Sequence, residues 1–299
     1  MNWKVTMKKQ ISEISNKTHV DLKSIIKTPI TVPPNTSILD ARDILLRHKI
    51  GRLVVEFGKK PVGIITEKDI AKNVSVYNKK PIGKMLVSEI MTKPLITVFD
   101  DSKIKDCAKL MKENNISSVV VINRKNKLIG VVTKTDLVST FLVKSSASFL
   151  VSKIMSKKLI TVSPDASIFE VQSILFNNKI SRVIVSKEKK PLGIITYRDF
   201  IPAKTFDLHK EFTDPQELDE VSQIPKINEF NVNRLSFLLT FSANDIMTKN
   251  PFVVNSDDAI YTAAILMIRH NISGLPVIRN KKLVGILTKS DIVNVLAES

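Results

Sequence analysis

The heptapeptide "GVVTKTD" at residues 130–136 returns in three further versions along the chain. They are "GIITEKD" at 63–69, "GIITYRD" at 193–199 and "GILTKSD" at 285–291. Each begins with glycine and two apolar residues and ends with threonine, two variable residues and aspartate. A motif that recurs along a chain marks a repeated structural unit. The sequence therefore predicts four copies of one small domain.

Spacing upstream of the heptapeptide supports this repeat. In the last three copies an isoleucine–methionine pair precedes the motif. From its methionine to the final aspartate the separations are 136 − 91 = 45, 199 − 155 = 44 and 291 − 247 = 44. Residue type and spacing thus agree three times, which chance does not explain. The first copy is the most divergent.

The residue pattern of each copy predicts the element order β-α-β-β-α. A short β-rich run such as 95–98 precedes a helix with an apolar face of helical period. An extended run such as "SSVVVI", a lysine-rich turn and a second strand such as "LIGVVT" follow, and the closing aspartate begins a last short helix. Three aspartates before the first helix are expected to accept hydrogen bonds from its free N–H groups: Asp101, Asp165 and Asp258.

One copy of about 50 residues buries too little apolar surface to be stable alone, so we expect adjacent copies to pack in pairs. The predicted organisation is an N-terminal extension at 1–23, repeats at 24–72, 88–141, 152–201 and 244–299, and a helical insertion or linker at 202–243.

Composition indicates a soluble globular protein, because 43% of the 299 residues are apolar. No apolar run approaches the roughly 20 residues that span a bilayer, and no signal peptide is evident, so a cytoplasmic protein is expected. The single cysteine, Cys107, excludes an internal disulfide framework and a CxxC site. It shares a helical face with Ile104, Ala108 and Met111, which predicts a buried core thiol. The four histidines match no metal-ligand spacing.

The chain is strongly basic, with 46 Lys and Arg against 29 Asp and Glu and a net charge of +17. Such a charge favours anionic partners, namely nucleotides, nucleic acid or a membrane surface. The lysines are scattered, however, and no basic block alternates with aromatic residues. A solvated basic surface and a selected anion-binding surface therefore both remain open.

The heptapeptide itself admits two interpretations. In the structural one, glycine relieves a tight strand while threonine and aspartate cap the next helix. In the second, a ligand binds as well, because free N–H groups and the helix dipole favour anions where a strand meets a helix N-terminus. A threonine hydroxyl can bind a phosphate, and an aspartate can accept from both hydroxyls of a ribose. The residues alone leave both interpretations open.

Together, the patterns "IMTKxP…TV", "NIS…VV" and "GxxTxxD" resemble the CBS domain, named from cystathionine β-synthase. The resemblance covers about residues 24–299 except the insertion. It implies an α+β fold in which tandem CBS repeats pair into two Bateman modules that form a pseudo-symmetric disc. It also implies that clefts between paired repeats bind adenosine ligands such as AMP, ADP, ATP or S-adenosylmethionine. The four-copy layout resembles the γ subunit of AMP-activated protein kinase.

In the family that these motifs resemble, the threonine and aspartate hold phosphate and ribose, often with a hydroxyl residue just before the aspartate. Repeats 2 and 4 keep all three groups: Thr133, Thr135 and Asp136, and Thr288, Ser290 and Asp291. Repeats 1 and 3 keep two: Thr66 and Asp69, and Thr196 and Asp199. There Lys68 and Arg198 replace the small hydroxyl, and a cation at that position could reach a phosphate.

The start of the middle strand varies in the same way. Repeats 1 and 3 have Arg52 and Arg182, whereas repeats 2 and 4 have Ser118 and Gly274. These arginines could be surface residues. Alternatively, each crosses the pseudo-twofold axis to a phosphate held mainly by the partner repeat, since a guanidinium offers a planar fork of donors. The resemblance to the kinase γ subunit supports the second interpretation.

The leading hypothesis is a non-catalytic regulatory or sensor protein without a cofactor or metal. An adenosine ligand would shift the packing of the modules, and a regulated protein partner or a second copy would respond. The alternative is a nucleic-acid-binding protein that uses the basic surface and is regulated by a nucleotide. An enzyme is disfavoured, because few residues lie outside the repeats and no P-loop or catalytic cysteine motif is present.

Overall fold

The computed structural model describes residues 20–73, 82–144, 149–201 and 241–298, except for the side chains at 82, 143 and 144. Most of the predicted N-terminal extension and of the helical insertion at 202–243 therefore lies outside the described residues.

The first two repeats follow the predicted element order. Repeat 1 contains β1 (Thr31–Val32), α1 (Ile38–Arg47), β2 (Arg52–Phe57), β3 (Lys60–Thr66) and α2 (Glu67–Asn73), after a 3-10 turn at Leu22–Ser24. Repeat 2 follows a 3-10 turn at Ile82–Lys84 and contains α3 (Val87–Ile90), β4 (Thr97–Phe99), α4 (Ile104–Glu113), β5 (Ser118–Ile122), β6 (Leu128–Thr133) and α5 (Lys134–Lys144).

The last two repeats have the same plan. Repeat 3 contains α6 (Val151–Ile154), β7 (Thr161–Val162), α7 (Ile168–Asn177), β8 (Arg182–Lys187), β9 (Lys190–Thr196) and a 3-10 helix at Tyr197–Phe200. Repeat 4 contains α8 (Ala243–Ile246), β10 (Thr248–Lys249), β11 (Val254–Asn255), α9 (Ile260–Arg269), β12 (Gly274–Arg279), β13 (Lys282–Thr288) and α10 (Lys289–Glu298).

Each repeat forms a small mixed sheet. In repeat 1, β1 runs parallel to β2 with Thr31 opposite Val54, and β2 runs antiparallel to β3 with Arg52 opposite Thr66. This register places the start of the middle strand beside the threonine of the heptapeptide. The same pairing recurs in repeat 3, where Arg182 lies opposite Thr196. The predicted α+β class and β-α-β-β-α order are confirmed.

A segment near the start of each repeat pairs with the last strand of its partner repeat. Lys27 and Val131 exchange two backbone hydrogen bonds, at 3.0 and 2.9 Å, which attach the start of repeat 1 to β6. The start of repeat 2 attaches to β3 through Thr92 and Ile64, and β10 of repeat 4 pairs with β9. This exchange joins repeat 1 to repeat 2 and repeat 3 to repeat 4.

The exchanged segments explain the glycine of the heptapeptide. A Cβ at that position would overlap the methionine of the partner repeat in three cases: Gly63 with Met91, Gly193 with Met247, and Gly285 with Met155. At Gly130 a Cβ would overlap Ile26 and would lie 2.7 Å from the carbonyl oxygen of Lys27. Glycine is therefore needed for close approach of the partner segment, rather than to relieve a tight strand.

Two hydrophobic cores extend across the modules. One joins repeats 1 and 3, with Ile38 and Leu45 of α1 in the same cluster as Ile168 and Leu175 of α7. The other joins repeats 2 and 4 in the same way. Within the first module, Val54 packs against Val120, Ile122 and Val131 of repeat 2. The four repeats thus form a closed ring of contacts, in which sheets face within a module and helices pack between modules.

We call repeats 1 and 3 the first diagonal and repeats 2 and 4 the second diagonal. Cys107 lies in the core of the second diagonal and has no exposed surface. Burial raises the pKa of its thiol to about 12. The prediction of a buried core thiol is confirmed.

The predicted helix caps are wrong. The N-cap residues of α4, α7 and α9 are Lys103, Ser167 and Ala259. Asp101, Asp165 and Asp258 lie one or two residues earlier. Asp101 pairs with Arg124 at 2.6 Å, and Asp258 accepts from the N–H of Asn255 at 2.7 Å.

Candidate functional site

The threonine and aspartate of each heptapeptide form one tight turn, which we call the T-x-x-D turn. In all four repeats the aspartate Oδ2 accepts from both the backbone N–H and the hydroxyl of the threonine. The backbone distances are 2.8 Å at Asp69, 2.8 Å at Asp136, 2.6 Å at Asp199 and 2.7 Å at Asp291. The aspartate therefore forms the capping turn in every copy, and these hydrogen bonds use only one of its two carboxylate oxygens.

The second carboxylate oxygen differs between repeats. Asp136 Oδ1 pairs with Nζ of Lys27 at 2.6 Å, and Asp69 Oδ1 accepts from the hydroxyl of Thr92 at 3.2 Å. Both donors belong to the exchanged segment of the partner repeat. At Asp199 and Asp291 the described residues supply no hydrogen bond to Oδ1. Burial raises the pKa of Asp291, while the Thr288 hydrogen bonds oppose that shift.

The two T-x-x-D turns of the second diagonal contact each other reciprocally. Nζ of Lys134 donates to Oγ of Ser290 at 2.8 Å, and Nζ of Lys289 donates to Oγ1 of Thr135 at 2.9 Å. Each lysine thus reaches across the module boundary to the hydroxyl residue of the opposite turn. Lys289 is only 4% exposed.

The first diagonal has the same reciprocal arrangement with different chemistry. Glu67 Oε1 accepts from Nε of Arg198 at 2.5 Å, and Nζ of Lys68 lies 5.8 Å from the ring centroid of Tyr197. Arg198, predicted as a cation that could reach a phosphate, is therefore paired with a carboxylate. Burial raises the pKa of Glu67, and the Arg198 contact opposes that shift.

The two arginines of the middle strands cross to the partner repeat within their own module. Nη1 of Arg52 donates to the carbonyl oxygen of Ser117 at 3.0 Å, and Nη2 of Arg182 donates to the hydroxyl of Ser273 at 2.8 Å. A Cβ at Gly274 would overlap Nη1 of Arg182. Glycine at position 274 therefore makes room for Arg182, which explains this small residue in the second module.

Arg182 has donors without a partner. Its Nε and Nη1 atoms are fully covered and, among the described residues, find no acceptor, although the side chain as a whole is only half-buried. Burial lowers the pKa of Arg182 to about 10, and Asp291 opposes that shift. Buried donors without an acceptor are rare and costly, and they mark places where water or an anion binds.

Both lysines of the second diagonal belong to the same electrostatic group as the arginines. Burial lowers the pKa of Lys134 and of Lys289 to about 8, and repulsion from Arg182 and Arg52 contributes to both shifts. Asp291 opposes the shift at Lys134, and Asp136 opposes it at Lys289. We call the four side chains Arg52, Arg182, Lys134 and Lys289 the cation cluster.

The structure brings together most of the residues that the sequence selected in repeats 2 and 4. The motif does not single out Lys134 and Lys289, because both occupy the variable positions between its threonine and its aspartate. A signal was present: the residue after the threonine is lysine in repeats 2 and 4 but Glu67 and Tyr197 in repeats 1 and 3.

Comparison with known proteins supports the organisation of the chain into four repeats. The family model described as "CBS domain" matches residues 21–76, 87–142, 151–204 and 243–298. The uncharacterized protein MJ1225 of Methanocaldococcus jannaschii is 26% identical over 91% of this chain and 96% of its own length. Its crystal structure, described as that of a proposed archaeal homologue of γ-AMPK, superposes with a TM-score of 0.75 at 23% identity over 92% of this chain and 99% of its own.

Two further relatives match in part. The uncharacterized protein MJ1404 of the same organism is 25% identical over 91% of this chain, which spans 60% of that relative's length. A CBS domain protein of Pyrobaculum aerophilum, PAE2072, was solved complexed with AMP; it matches 40% of this chain and 90% of its own at 27% identity, with a TM-score of 0.36.

Within the described ranges, no group of three or more His, Cys, Asp and Glu side chains is placed to hold a metal ion. No helix in these ranges is long and apolar enough to cross a membrane.

Proposed function

Because the chain belongs to the CBS domain family, we propose that it is a non-catalytic regulatory protein that binds a phosphorylated adenosine ligand at repeats 2 and 4. The observation that carries this proposal is the cation cluster. Four cations gather there, and two buried donors of Arg182 have no acceptor among the described residues. Concentrated buried charge is unfavourable unless an anion compensates it.

The T-x-x-D turns of repeats 2 and 4 add the rest of a nucleotide site. Thr133 and Thr288 lie where β6 and β13 end and where helices of 11 and 10 residues begin. A helix N-terminus favours negative charge. Oδ1 of Asp291, which accepts no hydrogen bond from the part of the chain that the structure describes, can accept from ribose hydroxyls. At Asp136 the exposed Lys27 side chain must first move aside.

The charge of the cluster selects the ligand class. A nucleotide such as AMP or ATP brings a dianion or more, whereas S-adenosylmethionine carries a sulfonium and an ammonium group. Repulsion from four nearby cations therefore disfavours the latter. We infer that adenine nucleotides bind more tightly than S-adenosylmethionine.

Calorimetric titration with AMP, ATP and S-adenosylmethionine tests this assignment. The variant pair Asp136→Asn and Asp291→Asn keeps an oxygen for the helix cap but removes the second acceptor. We expect it to lose at least tenfold in AMP affinity. The matched control, Asp69→Asn and Asp199→Asn in the first diagonal, should change affinity less than threefold. Equal losses in both variants, or none, would contradict the assignment.

Nucleic acid is the second candidate, and the net charge of +17 is the observation that favours it. It predicts that affinity for an oligonucleotide falls steeply and linearly with the logarithm of salt concentration. A gel-shift titration between 50 mM and 200 mM salt measures this slope. Absence of binding at the lower concentration would remove this candidate.

A further inference from the structure

The two clefts of the second diagonal share one set of cations. Lys134 belongs to repeat 2 but donates to Ser290 of repeat 4, and Lys289 belongs to repeat 4 but donates to Thr135 of repeat 2. A ligand that contacts Thr135 or Ser290 therefore also meets the lysine of the opposite repeat. Each cleft is complete only when the other repeat is in place.

The arginines connect the same two clefts. The positive charges of Arg52 and Arg182 both act on both lysines, and this contributes to the low pKa of each lysine amine. Arg52 belongs to the first module and Arg182 to the second. The four cations thus form one cluster at the module boundary rather than two separate pairs.

The charge balance of the cluster limits how many anions it can take. Four cations face the carboxylates of Asp136 and Asp291, which leaves 4 − 2 = 2 positive charges. Lys27 adds one more at the exposed rim, where it pairs with Asp136. The pair formed by Glu67 and Arg198 is neutral. One phosphate dianion therefore cancels most of the excess.

From this sharing we propose that the clefts of repeats 2 and 4 are negatively coupled: the first phosphorylated ligand binds tightly, and the second binds at least tenfold more weakly. This inference rests on the proposed function. The second phosphate meets cations that are already neutralised, and it is also repelled by the first phosphate. Coupling requires charge, so a ligand without a phosphate should bind both clefts independently.

Titration of the wild-type chain with AMP and with adenosine gives the first test. We expect a two-step AMP isotherm with affinities at least tenfold apart, and a single class of two sites for adenosine. The AMP steps should converge at high salt, because screening weakens the interaction between the two phosphates. Equal AMP sites at low salt would overturn the coupling. Absence of any AMP binding would instead contradict the proposed function.

Single-cleft variants separate coupling from sites that differ intrinsically. Asp136→Asn disables the repeat 2 cleft, and Asp291→Asn disables the repeat 4 cleft. Under coupling, each variant binds one AMP with the affinity of the tight wild-type step, within about threefold. If one variant retains only weak binding, the clefts are unequal by nature and the proposal fails.

The lysine exchange gives an independent test on the same chain. With the repeat 4 cleft disabled by Asp291→Asn, the further change Lys289→Met should weaken AMP binding in the repeat 2 cleft at least tenfold. The matched control is Lys282→Met on the exposed end of β13, which should leave affinity unchanged. An unaffected Lys289→Met variant would show that the lysine does not serve the opposite cleft.

Discussion

The two diagonals of this molecule share a backbone arrangement and differ in charge. In both, the middle residues of one T-x-x-D turn contact those of the opposite turn across the module boundary. In the first diagonal the carboxylate of Glu67 accepts a hydrogen bond from Nε of Arg198 at 2.5 Å. In the second diagonal the lysines donate hydrogen bonds to the hydroxyl oxygens of Ser290 and Thr135. The first contact is neutral, whereas the second is strongly positive.

The same T-x-x-D turn can therefore serve either to join modules or to bind an anion. A salt bridge compensates its own charges and leaves little attraction for a phosphate. A hydroxyl accepts a hydrogen bond from a lysine without neutralising it. The second diagonal therefore keeps positive charge that a ligand can compensate. Variants that exchange the charges of the two diagonals test this difference.

The largest effect is expected when the second diagonal is given a carboxylate. In the variant Ser290→Glu, Lys134 acquires an ionic partner and the carboxylate repels an incoming phosphate. We expect AMP affinity to fall at least a hundredfold, about 2.7 kcal/mol. Calorimetric titration measures it. The control Ser290→Gln has the same size without the charge and should lose less than fivefold; equal losses would show that space rather than charge matters.

The reverse change should destabilise the first diagonal. Glu67→Gln leaves Arg198 without a carboxylate in a partly covered site. The cost of breaking a buried pair is about 3–5 kcal/mol, but Arg198 is 40% exposed, so we expect about 2 kcal/mol. Urea unfolding measures the loss. Asp101→Asn, which breaks the exposed pair with Arg124, is the control and should leave stability unchanged. If the two variants behave alike, the contact between Glu67 and Arg198 does not join the modules.

The stability of the free protein should also depend on pH. The amines of Lys134 and Lys289 have a pKa of about 8 in the folded protein, whereas the usual value is 10.5. Because the unfolded chain then binds more protons, the free protein should gain stability as pH rises from 8 to 10.5. Urea unfolding across this range compares wild type with the variant Lys134→Met plus Lys289→Met. If the free energy of unfolding changes with pH in the same way in both proteins, folding does not lower the pKa of these lysines.

Much of the fold was predictable from the sequence, because it depends on local patterns. The spacing of the repeats predicts four domains, and the helical period of the apolar residues predicts buried helix faces such as the one that contains Cys107. The cap by the T-x-x-D aspartate also followed from residue type. The wrong caps at Asp101, Asp165 and Asp258 show the limit: a carboxylate near a helix start can instead pair with a nearby arginine or accept a hydrogen bond from the turn before the helix.

The site was predictable only within each repeat. Contacts between repeats follow from how the modules pack, and periodicity does not encode that packing. The exchange of segments between partner repeats explains the motif glycine, yet no single repeat reveals it. The pairing of Lys134 with Ser290 and of Lys289 with Thr135 is likewise invisible until both turns are placed at one boundary.

The proposed site predicts that the lysines of the second diagonal hold the phosphate of an adenine nucleotide. The most direct measurement is AMP affinity in the variant Lys134→Met plus Lys289→Met, with Lys68→Met in the first diagonal as the control. We predict at least a hundredfold loss for the double variant, since two charge-assisted contacts are removed. The control should change affinity less than twofold. Retention of wild-type AMP affinity in the double variant would contradict the account.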